Sequence, residues 1–118
     1  MAIKYLRTLL DTDGDNTAQS VVAKAGQIHY IHVVNPNSVD TYLQLFDVAA
    51  ASVTVGTTTP KLSFLVPAGN GTDSGGFTEN FGEFPIHFEN FVTYACTTTA
   101  TGSGDPTTGL TVNIMYAI

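Results

Sequence analysis

Short runs in which apolar and polar residues alternate, separated by turn residues, constrain this chain more than any other feature. "QIHYIHVVN" at 27–35, "TYLQLFDV" at 41–48, "KLSFLV" at 61–66, "FPIHFEN" at 84–90, "FVTYACT" at 91–97 and "LTVNIMYA" at 110–117 are rich in Val, Ile, Tyr, Phe and Thr. A period of two puts alternate side chains on opposite faces of a strand, and β-branched and aromatic residues suit that pleated surface. The intervening "NPNS", "GTTTP", "PAGNG" and "GSGDP" are turn sequences,. "IKYLRTLL" and "AQSVVAK" are weaker strands, and the first also has one turn of helical spacing at Ile3, Leu6, Leu9 and Leu10,. The pattern predicts an all-β chain: a single antiparallel β-sandwich or jelly-roll-like domain of about eight short strands spanning 1–118. Residues 1–10 are either its edge strand or an N-terminal arm.

The strands differ in how many faces they bury. Leu110, Val112, Ile114 and Tyr116 form one apolar face opposed by Thr111 and Asn113. Segment 42–46 is apolar on both faces, Leu43 and Leu45 pointing one way and Tyr42 and Phe46 the other. A strand of that kind is covered on both sides, so the expectation is a neighbouring subunit over Tyr42 and Phe46. Closed symmetry is the usual device, here a homotrimer.

Composition narrows the partners. Hydrophobic residues make up 43% of the 118 residues, enough for one core, while charged residues are only 12%, about half the usual share. So sparse a charge implies that another protein covers part of the surface. The net charge is −6, and the four basic residues, Lys4, Arg7, Lys24 and Lys61, do not cluster. Nucleic acid and anionic membranes would repel such a chain. Cys96 is the sole cysteine and lies in an apolar run, which suits a small core residue,. No apolar run has signal-peptide or membrane-spanning length, so synthesis in a cytoplasm and use without secretion are expected.

Three stretches offer chemistry and each falls short. "LLDTDGDNTAQSVV" at 9–22 starts like a calcium loop, with Asp11, Asp13 and Asp15 at alternate positions. Counting from Asp11, the Gly belongs at position 6 and a bidentate Glu at position 12; Asn16 and Val22 stand there instead. An acidic turn is the better description. His29 and His32 point to opposite faces of a regular strand and cannot share a metal without a bulge, and His87 is expected outward. Glu79, Glu83 and Glu89 are close in sequence but need no role beyond a solvated face. No nucleophile elbow and no phosphate-binding glycine loop occurs. The expectation is a non-enzyme without cofactor or metal.

Two loops remain, "VPAGNGTDSGG" at 66–76 and "TTTATGSGDPTTG" at 97–109. Loops of such length without structure are usually functional or disordered. With the N-terminal segment they supply the partner-contact candidates: Ile3, Lys4, Tyr5, Leu6 and Arg7 at the start, Tyr42 and Phe46 on the two-sided strand, and Asn70, Thr98 and Thr101 in the loops.

The order "NPNS", "YLQLFD", "VGTTTP", "VPAG", then "FP" at 84–85, "TTTA" at 97–100 and "VNIMYAI" at the end resembles a pattern in small structural proteins of tailed bacteriophages. The resemblance covers roughly residues 28–118, with a longer segment at 70–83 than the family's usual Gly-rich turn. It implies a capsid decoration, or cement, protein: a small β-sandwich or jelly roll, made in the bacterial host cytoplasm, sitting as a trimer on the virion exterior and bracing the major capsid protein. A tail, neck or fibre component is the structural alternative. A carbohydrate-binding β-sandwich is a third, weakened by the absence of Trp.

Overall fold

The computed structural model describes residues 5–118, and among these it contains nine strands. They are β1 (Arg7–Gly14), β2 (Gln19–Val22), β3 (Gly26–Asn35), β4 (Thr41–Phe46), β5 (Leu62–Val66), β6 (Gly75–Asn80), β7 (Ile86–Phe88), β8 (Val92–Thr97) and β9 (Leu110–Ala117). One antiparallel sheet of five runs β1-β9-β3-β6, with β7 also paired to β3; the other, of four, runs β2-β8-β4-β5. The chain is all-β, in two sheets that share one core, an arrangement compatible with a sandwich.

The inward residues come from the alternation seen in sequence. Ile31 and Val33 of β3 and Val112 and Ile114 of β9 are buried, as are Leu43 and Leu45 of β4 and Tyr94 and Cys96 of β8, and all belong to one cluster. Each fully buried aliphatic side chain contributes about 1.5–3 kcal/mol. Ile28 joins the cluster although it lies three residues from Ile31. A β-bulge makes this work: pairing with β9 passes from Ile28–Tyr116 to Tyr30–Met115 and leaves His29 as the extra residue,.

The same place disturbs the neighbouring edge. Asn80 of β6 pairs with Tyr30, and Ile86 of β7 pairs with Ile28. β6 and β7 are therefore one edge strand interrupted by residues 81–85, which project from it. The Phe81 amide donates to the His29 carbonyl at 2.9 Å and ties the projection to the bulge.

The N-terminal alternatives resolve in part. Residues 7–10 are edge strand, neither helix nor free arm, while Tyr5 and Leu6 precede the strand and are exposed. Ile3 and Lys4 lie outside the described residues. β6 falls in the stretch 70–83 that the periodicity did not resolve.

The cover over 42–46 comes from the chain itself. Gln44 and Phe46 are both fully buried. The Gln44 amide donates to Thr97 Oγ1 at 2.8 Å and to the Gly102 carbonyl at 3.0 Å, and the Ser63 hydroxyl donates to the Ala100 carbonyl at 2.7 Å. Loop 98–104 thus lies on the outer face of the four-stranded sheet. Beside Phe46, its cross-strand neighbour Thr93 donates to the Val48 carbonyl at 2.6 Å. Phe46 therefore faces the chain's own segments, and the inference of a neighbouring subunit there is corrected. Tyr42 remains half-buried.

Candidate interaction surfaces

The long loops are fixed parts of the domain. Asn35 is fully buried at the end of β3. Its amide donates to the carbonyls of Val39 at 3.0 Å and Val66 at 3.1 Å, and its carbonyl oxygen accepts from the Asn37 backbone and side-chain nitrogens, both at 2.9 Å. Asn37 in turn donates to the Thr108 carbonyl and accepts from the Thr108 amide, each at 2.8 Å. Its backbone carbonyl also accepts from Gly69 at 3.1 Å. The "NPNS" turn thus clamps both the 66–76 and the 97–109 loops. A shallow cavity of about 330 Å³ lies at this end, lined by Pro36, Val39, Gly71 and Thr107 among others.

A second clamp sits at Asp47. Its carboxylate accepts from the amides of Glu89, Asn90 and Phe91, all at 2.9 Å. Desolvation pushes the Asp47 pKa up, but the three backbone donors and nearby Lys61 outweigh it and hold the carboxyl below its ordinary value,.

The acidic stretch is structural. Tyr94 donates to Asp11 Oδ2 at 2.6 Å, the Asp11 Oδ1 accepts from the Asp13 amide at 2.9 Å, and Asp15 accepts from Thr17 at 2.9 Å. Among the described residues no three His, Cys, Asp or Glu converge as a metal site. Burial first, then the charges of Asp11 and Asp15, push the Cys96 thiol up to about 12, which leaves it protonated and unreactive at neutral pH,. A Cβ on Gly14 would come within 2.9 Å of that sulfur, so only glycine fits opposite it. Glu79, Glu83, Glu89 and His87 are all exposed.

The predicted contact residues do not form one patch. Tyr5, Leu6 and Arg7 lie at the edge of the five-stranded sheet, whereas Tyr42 lies on the four-stranded one. Asn70 is exposed, but its carbonyl oxygen accepts from Thr72 and Asp73 and closes its own turn. Thr98 is half-buried, its amide bonded to the Gly104 carbonyl at 3.0 Å, and Thr101 is exposed.

Two surfaces stand out that the residue pattern did not single out. The first is Phe84, 84% exposed at the tip of the projecting 81–85 loop. This loop is locked: Phe84 donates to the Phe81 carbonyl at 3.0 Å, and Gly82 donates to Asn80 Oδ1 at 3.0 Å with a φ of +56°. Phe81 packs inward on Phe64, ring centroids 6.4 Å apart. An aromatic ring held out on a rigid support loses little entropy on docking. Read as one run, "FPIHFEN" hid this, because only Ile86–Phe88 is strand.

The second is the outer face of the five-stranded sheet. Its register gives cross-strand rows Thr8–Met115–Tyr30–Asn80 and Leu10–Asn113–His32–Thr78, followed by Thr111–Val34–Gly76. None of these residues carries a formal charge with His neutral. Asp11, half-buried, and Glu79, exposed, belong to the alternate set of their strands, and Asp13 lies within the β1 irregularity between Asp11 and Gly14. Leu10 is 65% and Met115 38% exposed.

No family model, curated protein or solved structure matches the chain.

Proposed function

We propose that this chain is a non-enzymatic structural protein of a tailed-phage virion, a decoration protein that docks on the outside of the assembled head shell and stabilises it. Support comes from three of the segments that carry the phage resemblance, which have structural tasks. "NPNS" clamps two loops, Gln44 and Asp47 of "YLQLFD" seat the segments outside the core, and "VPAG" is held by Asn35 and Asn37. The chain's architecture suits a jelly-roll-like module displayed on a shell.

The observation that carries docking is Phe84, an 84% exposed aromatic on a hydrogen-bonded loop, beside the acidic Glu83. Aromatic anchors of this kind dominate binding energy when they fill a pocket. The expected pocket on the coat protein is apolar and rimmed by Lys or Arg. Cementing then needs no chemistry. A protein that binds the intact lattice and not its broken state stabilises the lattice by mass action. Several modest contacts from one oligomer add through avidity.

The test is to add the purified protein to head shells that lack it, and to measure both its copy number per shell and the shell's melting temperature. Loading with a raised melting temperature is expected. Phe84→Ala, which removes an exposed side chain and leaves the fold intact, should cut loading at least tenfold. Shells that take up no wild-type protein rule out the decoration role.

A further inference from the structure

We propose that the uncharged outer face of the five-stranded sheet is the docking site for a second copy of this chain, face to face about a two-fold axis. Each copy carries a net charge of −6, so two copies repel wherever exposed acids meet. The rows around Tyr30 and His32 put no formal charge in the way. Leu10, Met115 and Tyr30 lie on three adjacent strands, β1, β9 and β3, and form the apolar centre. Thr and Asn residues around them supply short polar groups without charge, the composition of an interface whose core is depleted in charged residues.

The area meets the lower bound for a specific pair. β3 has ten residues, and a strand rises about 3.3 Å per residue with neighbours about 4.8 Å apart. β1 and β9 have eight residues each and β6 has six, so the four strands give a face of roughly 500 Å² per copy, or about 1,000 Å² for the pair, the least that a specific interface clears. A two-fold pairing buries Leu10 and Met115 of both copies at once, which is the economy of an isologous contact. The face that associates is thus on the opposite sheet from Tyr42 and Phe46. This pairing stands apart from shell docking, because it is measured in solution without any shell.

Sedimentation velocity of the full chain at about 50 µM distinguishes the outcomes. The expected mass is twice the 12.5 kDa of one chain. Leu10→Glu should weaken pairing at least tenfold with the melting temperature of the monomer unchanged; if that variant unfolds, Met115→Lys probes the same face. Leu65→Glu, at an exposed position on the four-stranded sheet, should pair as wild type. A wild-type monomer overturns the proposal, and so does a three-chain mass. Undiminished pairing in both Leu10→Glu and Met115→Lys, or loss of pairing in Leu65→Glu alone, overturns it equally.

Discussion

Asn35→Asp changes one amide nitrogen to oxygen at a fully buried position. Its volume is kept, and the oxygen that accepts from both Asn37 nitrogens is kept as well. Lost are the donors to the Val39 and Val66 carbonyls. Two lost hydrogen bonds cost about 2–3 kcal/mol together. The substituted oxygen faces the Val39 and Val66 carbonyl oxygens at a fully buried position; burial and this repulsion act against the two Asn37 donors and raise the folded pKa above the unfolded value of about 3.9. A rise of about two units adds roughly 2.7 kcal/mol at neutral pH. The sum is about 5 kcal/mol at pH 7, a large share of the 5–15 kcal/mol typical of a domain. A raised folded pKa means the ionisation penalty is absent below the unfolded pKa and grows as pH rises through the folded one. Near pH 4 the protonated carboxyl also regains one donor, and the difference from wild type should shrink to about 2 kcal/mol. Urea unfolding of both proteins at pH 4 and pH 7 measures it. A difference that stays constant with pH, or one below about 1 kcal/mol at pH 7, would refute the assignment of Asn35 as a buried donor that clamps the loop end.

Other sites give sharper local readouts. Gln44→Ala should destabilise by about 3 kcal/mol, from a cavity and from the orphaned Gly102 carbonyl, and should speed amide exchange across 98–104; unchanged exchange there would show that the loop is held by something else. Asp47→Ala should cost about 1–2 kcal/mol at pH 7. The Asp47 pKa is depressed below 3.8, so its contribution is present above that value and lost as pH falls through the folded pKa; in thermal melts the gap between wild type and variant should narrow as pH is lowered through that range. Cys96, its thiol pushed up to about 12, should react with a disulfide reagent at pH 8 only when the chain unfolds, so native-state labelling at the rate of a free thiol would contradict its burial.

Much of the fold was legible because alternation is a direct record of which side of a strand meets the core. β3, β4, β8 and β9 all lie where the period of two puts them. β6 was not, since "GGFTEN" has two glycines and three exposed polar positions and buries little on either face. The two-sided apolar pattern at 42–46 is visible in the sequence, but nothing in it tells cover by the chain's own loop from cover by another chain. Thr, Ser and Gly in loop 98–104 carry no apolar signal, and they cover Gln44 through backbone carbonyls that any residue possesses. Phe84 was hidden for a related reason. A phenylalanine beside a strand reads as core, and only the register on either side of residues 81–85 shows that the chain leaves the sheet there.

That departure makes the loop a natural place to carry foreign sequence. Strand pairing ends at Asn80 and resumes at Ile86, while on β3 only His29 separates the partners of those two residues. The ends of the loop are therefore held by the sheet whatever lies between them. Each doubling of a flexible loop's length costs only about 0.6 kcal/mol. A peptide spliced between Gly82 and Pro85 would stand clear of both sheets and would interrupt the segment that carries Phe84, so the domain would keep its fold while whatever that ring docks on lost its anchor.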